Sequence, residues 1–328
     1  MNSSYIPTAI TPWADSAATP DRDAFHTAFI KNFIVVFLWF FINSVNGTLV
    51  MTFFKHRVFY ENPRYMLFIH MVVNDILQLT LAVTLHVVSY IFRSINVSVC
   101  CFLLLMAQVS TMNTPLNLAA MAIERYVAIC NPLRHSQICT VRRTHILIAV
   151  IWAAGLAPPA SDLFILLAMQ PIGFFHSSLL CYSLNIFRSP YLVYKKQASN
   201  SVYLSCVGLI LIYTYIRVLF AAKAATTDEA SAAKARNTIL LHGVQFLMCM
   251  LSYVMPLLDV VLLGLFPAQR TVILFVNYLI AYVLPRFLSP IIYGVRDEKF
   301  RKHLKGYLFC KSTLLKVGPH TVHSLKIP

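Results

Sequence analysis

Charge is scarce in this chain. Lys, Arg, Asp and Glu make up 12% of its 328 residues, against roughly 25% in an ordinary soluble domain. Acids are the scarcer sign, 12 against 27 bases. With 58% hydrophobic residues and a mean hydropathy of +0.68, such a sequence cannot stay dissolved as a monomer. That excludes a soluble enzyme, a disordered tail protein and a secreted disulfide miniprotein. Glycine is scarce too, with nine in all, and no internal repeat is visible. Transporters with repeated halves and Gly-broken helices at mid-membrane are therefore a poor fit. An intramembrane enzyme would carry a constellation such as Gly-x-Gly-Asp or His-Glu-x-x-His, and neither occurs.

What remains are long apolar blocks. A spanning helix needs about 20 mainly apolar residues, and blocks of that size fall at 29–54, 65–91, 101–129, 146–169, 191–220, 238–266 and 272–293. Asn113, Pro115 and Asn117 interrupt the third; Lys195, Lys196 and Arg217 flank or enter the fifth. The expected fold is all-α, a seven-span helix bundle. The expected divisions are an outer tail (1–28), a bundle (29–295) and a cytoplasmic helix and tail (296–328).

Orientation follows from basic residues near span ends, because cytoplasmic loops carry the excess. With the N-terminus outside, the inner segments hold Lys55, Arg57, Arg64, Arg125, Arg134, Arg142, Arg143, Arg217, Lys223, Lys234 and Arg236. The tail adds Arg296, Lys299, Arg301, Lys302, Lys305, Lys311, Lys316 and Lys326, giving 19 of the 27 bases. N-terminus out and C-terminus in is the expectation. The basic balance then faces anionic membrane lipid and needs no nucleic acid. Residues 1–28 lack a basic start followed by an apolar core, so no cleavable signal is expected and the first span directs insertion. Asn2 and Asn96 head glycosylation sequons on outer segments, whereas the sequon at Asn46 falls inside a span and should be silent.

The sharpest motif lies where the third span ends: Met121-Ala122-Ile123-Glu124-Arg125-Tyr126-Val127-Ala128-Ile129-Cys130-Asn131-Pro132-Leu133. An interfacial Arg alone reads as a side chain snorkelling to water. The whole run is more specific. It resembles the Asp/Glu-Arg-Tyr segment of rhodopsin-like G protein-coupled receptors, and its extension resembles odorant receptors. Lys234-Ala235-Arg236-Asn237-Thr238 with His242 is similar to the start of their sixth span, and Ser289-Pro290-Ile291-Ile292-Tyr293-Gly294-Val295-Arg296 to the end of their seventh. Pro63-Arg64-Tyr65 leading to Asn74-Asp75, and Trp152 in the fourth span, also fit. The similarity covers 29–310; His242-Gly243-Val244-Gln245 and Pro285-Arg286 resemble the fish-type branch.

The resemblance implies a receptor without catalysis or cofactor, with a small odorant and a heterotrimeric G protein as partners. It also implies the plasma membrane, in olfactory cilia, and leaves room for trafficking partners and receptor oligomers. A stimulatory olfactory G protein raising cyclic AMP is the family's pathway. The alternatives are a non-olfactory rhodopsin-like receptor, disfavoured by Ala128-Ile129-Cys130-Asn131-Pro132-Leu133 and Lys234-Ala235, and a small transporter. In the family, Glu124 holds Arg125 until activation, Tyr215 and Tyr293 swing in as partners of the open state, Tyr126 and His242 belong to the coupling end, and Pro290 kinks the seventh span. The family disulfide would join Cys181 to Cys100, with Cys101 as the rival. Cys130, Cys139, Cys206 and Cys249 read as buried thiols, and Cys310, after an amphipathic stretch, as a palmitoylation candidate.

Intramembrane charges default to functional hypotheses. Asp75 matches the acid that helps to bind sodium in many such receptors, with Thr114 and Ser289 at the assisting positions. Arg286 is expected to pair with Asp75 and take the cation's place; the alternative is Arg286 bonding backbone carbonyls at the kink. The family pocket maps onto Ala107, Gln108, Thr111, Met112, Ser199, Tyr203, Tyr253, Leu257, Tyr278 and Tyr282. Apolar surface with hydroxyls and one amide suits a small, partly polar molecule. Asp259 and Lys196 could meet a charged ligand at the outer rim. Cys249-Met250-Leu251 replaces the Phe-Tyr-Gly of many odorant receptors.

Overall fold

The computed structural model of the chain describes residues 25–289, apart from 93, 188 and 225–228. Among the described residues run seven long helices: Phe25–Lys55, Pro63–Ile91, Val97–Cys130, Val141–Met169, Pro190–Ala224, Glu229–Leu265 and the span Pro267–Ser289. Six of them are long and apolar enough to cross a membrane; the helix Glu229–Leu265 carries the apolar stretch Gly243–Met255. They are called the first to seventh spans below.

Local chemistry sets several starts. Pro63 begins the second span where its missing N–H costs nothing, and the Asn62 side chain accepts from Arg64 N. Asn96 caps the third span through Ser98 N, and Thr140 caps the fourth through Arg143 N. The first span begins at Phe25, four residues before the hydropathy block. Lys31 lies within it because its Nζ reaches Thr271 O at 3.0 Å.

The third span is the hub, packed against the second, fourth, fifth and sixth. Leu118, Ala120 and Met121 from it share a core with Leu67, Met71 and Ile151. Large apolar side chains such as Phe33, Phe37, Phe40, Phe164 and Leu209 point outward, as a lipid-facing surface requires. The polar groups are inside: Asn46, Asn74, Asp75, Gln78, Asn113, Asn117 and Arg286 are all buried. Gly155 of the fourth span sits so close to the third that an added Cβ would overlap Asn113 Oδ1.

One end of the bundle is closed by covalent and sheet contacts. Cys100 and Cys181 are bonded, and Ile95–Asn96 pairs antiparallel with Ser178–Leu179. Cys101 is a buried free thiol beside them. Among the other thiols that are described, Cys130 and Cys139 are half-buried and Cys206 is exposed, less enclosed than expected; the Cys249 side chain lies outside the described set. In an apolar bilayer a thiol on the outward face meets no polar penalty, so composition cannot place it. The seventh span opens into a π-helical turn at Leu279–Val283 before Arg286; such turns often mark functional positions. Asn2, Pro290, Tyr293, Cys310 and the expected eighth helix lie outside the described residues.

Candidate functional site

At the end of the third span opposite the disulfide, Glu124 is buried and has basic neighbours, with Arg64 of the second span also within its field. Arg125 Nε stands 3.7 Å from its Oε2, and His135 Nε2 stands 3.2 Å from its Oε1. The nearer partner is therefore His135, which the sequence did not single out. Pro132 starts a short helix, Pro132–Ile138, and that turn brings His135 back beneath Glu124. The Arg125 contact exceeds ordinary hydrogen-bond length and is a loose ion pair, suited to breaking. Tyr126 lies near the Arg217 guanidinium of the fifth span, and its ring lies 6.0 Å from that of Tyr213. Tyr215 is half-buried and joins no contact with Glu124 or Arg125. The His242 side chain lies outside the described set. Next to this cluster, outside the spans, burial and the Glu124 charge push the Cys139 thiol up, while Arg143 pulls it back.

At mid-bundle the expected Arg286–Asp75 ion pair is not formed. Arg286 Nη1 donates to Ala281 O at 2.8 Å and Nε to Gln78 Oε1 at 3.3 Å, which combines the backbone-carbonyl alternative with a residue that sequence reasoning missed. Gln78 is one turn from Asp75, and its amide both accepts and donates: Nε2 reaches Thr111 Oγ1 at 2.7 Å, and Thr114 donates back to Oε1 at 3.3 Å. A neutral amide therefore spreads the guanidinium's bonds into the third span. Asp75, Thr114, Gln245, Arg286 and Ser289 line one small cavity. Asp75 Oδ2 and both polar atoms of the Gln245 amide have no hydrogen-bond partner there.

A second relay joins three spans. Trp152 Nε1 donates to His70 Nε2 at 2.9 Å, and His70 Nδ1 meets Asn117 Oδ1 at 3.2 Å. The indole can only donate, so Nδ1 carries the proton of a neutral ring. Asn117 Nδ2 continues to Leu67 O at 3.0 Å.

Toward the disulfide end, the structure brings together part of the expected pocket. Tyr203 donates to Met112 O, and Tyr253 reaches Thr111 O at 3.5 Å. Ala107, Gln108 and Ser199 are half-buried around them. Tyr278 and Tyr282 stack at 5.7 Å, and Tyr278 also stacks on His86 of the second span at 4.8 Å. The Leu257 side chain lies outside the described set. Asp259 is bonded by Asn277 Nδ2 at 2.5 Å. In the loop before the fifth span, burial and Asp259 push the Tyr182 hydroxyl up, and Arg270 pulls it down.

The charge pair that sequence reasoning missed lies near the same end. Lys195 Nζ donates to Asp162 Oδ1 and to Ser161 Oγ, the latter at 2.5 Å. Asp162 is buried. A signal existed, since an acid within an apolar window demands a partner, but only packing shows which base supplies it.

Seven long helices, a Glu-Arg-Tyr cluster at one end and a disulfide at the other define a class. The family model for the 7 transmembrane receptor (rhodopsin family) matches residues 45–293, and the chain belongs to that family. It is a multi-pass membrane receptor that signals without catalysis. Within the family, Odorant receptor 131-2 of Danio rerio is 31% identical over 267 residues, covering 81% of this chain and 82% of that one. Olfactory receptor 51E1 of Homo sapiens is 29% identical over 199 residues, 57% and 59% of the two chains. Olfactory receptor 4K1 of Homo sapiens is 25% identical over 284 residues, 81% and 86%.

Proposed function

We propose that the chain is an odorant receptor of the plasma membrane, with the disulfide end outside and the Arg125 end facing a heterotrimeric G protein. The match to Odorant receptor 131-2 over most of both chains carries the odorant role. The loosely held Arg125 beside buried Glu124 carries the coupling role. Residues 29–295 form the receptor domain, 1–28 an outer tail, and 296–328 a cytoplasmic helix and tail in contact with lipid.

The mechanism is a shift between two populations. At rest Glu124 is held by Arg125 and His135. An odorant lying among Thr111, Met112, Ser199, Tyr203 and Tyr253 favours the arrangement in which the Arg125 ends of the fifth and sixth spans part. Arg125 then meets the G protein, and Tyr215 and Tyr293 support the open state. A 100-fold preference for that state is worth about 2.7 kcal/mol, within reach of a few buried contacts. The G protein is of the stimulatory olfactory type, and cyclic AMP is the output.

The test is a cyclic-AMP reporter line expressing the parent chain or Arg125→Ala, challenged with water-soluble odorants. The reading requires at least one odorant response that Arg125→Ala abolishes at equal surface level. A response unaffected by Arg125→Ala refutes it.

A further inference from the structure

The fifth span presents one stripe to the third. Leu192 packs in the disulfide cluster with Cys101, Tyr203 donates to Met112 O, and Val207 packs beside Ala119. The first two pairs, each 91 residues apart in sequence, share one register; the third, 88 apart, is offset by three residues. The two spans run in the same direction, so Ser199 stands at the level of Gln108 and Lys196 at the level of Leu105. Lys196 lies on this stripe, one turn (about 6 Å) below Leu192 and about 10 Å above Tyr203. The disulfide cluster forms the ceiling of this layer, and the Tyr203–Met112 bond forms its floor.

Within it the protein leaves its own polar groups unsatisfied. Lys195 is neutralised by Asp162. Lys196, although half-buried and within the field of Asp162, has no ion-pair or hydrogen-bond partner among the described residues. The Ser199 hydroxyl and the Gln108 amide likewise bond to no described residue. One turn on, Asn200 Oδ1 is buried without a partner. Two lysines against one aspartate leave a single positive charge, inside a bundle where an unpaired charge is expensive.

We infer that this layer is an anion subsite, in which Lys196 pairs with the carboxylate of a small organic acid while the Gln108 amide and the Ser199 hydroxyl donate to its second oxygen. One uncompensated charge fits a monoanion. Apolar Leu105 and Met112 above and below the Gln108 level accept an alkyl chain. This rests on the odorant-receptor reading and adds to it the chemical class of the ligand. Asp259 does not compete for this role, because Asn277 already occupies its carboxylate and it lies between the sixth and seventh spans.

The experiment uses the full chain and matched probes: short straight-chain carboxylic acids and the methyl ester of each. Reporter responses are recorded for the parent, Lys196→Met, Lys196→Arg and Arg125→Ala. In parallel, the solubilised parent and Lys196 variants are melted with and without hexanoate. The inference expects acids to act at concentrations at least tenfold below their esters. Lys196→Met should erase that preference, Lys196→Arg should keep most of it, and hexanoate should raise the melting temperature of the parent and of Lys196→Arg only. Equal potency of acid and ester, or an acid preference that survives Lys196→Met, overturns it. So does a parent that answers only amines or neutral odorants, while leaving the receptor reading intact. Hexanoate stabilisation that depends on Lys196, with no reporter response in any arm, supports the subsite and counts against the signalling reading. Absence of both overturns the subsite.

Discussion

Replacing Gly155 with Ala tests the packing of the fourth span on the third. The added methyl carbon would overlap Asn113 Oδ1 and would stand 3.3 Å from Asn113 Cγ and 3.5 Å from Val109 O. Asn113 is fully buried, so its amide has no free space to swing into, and the helices must part. Overpacking of this kind costs about 1–3 kcal/mol. Alanine returns about 1 kcal/mol through its helix preference, so the net loss should be about 0–2 kcal/mol by the same two figures. The companion change is Asn113→Ala, which removes the obstructing amide along with two polar atoms that find no partner. Thermal melts of the detergent-solubilised chain, for parent, both single variants and the double, give the coupling. Gly155→Ala should melt lower than the parent, and the double variant should recover most of that loss. Simple additivity of the two single changes would show that the two spans are not in contact there.

Three further outcomes follow from the charged groups. Asp162→Asn leaves the Lys195 ammonium in the bundle without its counter-charge, a loss of about 3–5 kcal/mol; surface expression should collapse and return when Lys195→Met is added. His135→Ala removes the His135 contact with Glu124 at 3.2 Å and should raise basal cyclic AMP severalfold, whereas an unchanged baseline would show that His135 does not restrain the resting state. Because burial and Glu124 hold the Cys139 thiol above its ordinary range, its thiolate fraction at neutral pH is low. Alkylation should therefore be slow, rise with pH past the usual thiol range, and speed up in Glu124→Gln, as read by peptide mass spectrometry; an unchanged rate in that variant would place Glu124 too far away to matter.

The number of spans was legible because spanning a bilayer requires long unbroken apolar runs, and hydropathy reads those directly. The Glu124–Arg125–Tyr126 segment was legible because it is local in sequence. What escaped depends on which faces meet. Gln78 reads as one more polar residue in a helix until Arg286 arrives from 208 residues away. His135 depends on a seven-residue helix folding back. The Arg286–Asp75 expectation placed both groups in the right cavity but overlooked a neutral amide one turn from the acid. An amide can accept from the guanidinium and donate onward at once, which a carboxylate cannot do. The mixed start of the first span was misjudged for a similar reason, since Lys31 lowers the apolar count while its ammonium finds a carbonyl on the seventh span.

Everything functional depends on which face of the membrane carries Arg125. Epitope tags at the two chain ends, stained in intact and then permeabilised cells, decide it. The account predicts N-terminal staining on intact cells and C-terminal staining only after permeabilisation. Both tags on the same face, or the C-terminal tag alone on intact cells, would contradict it.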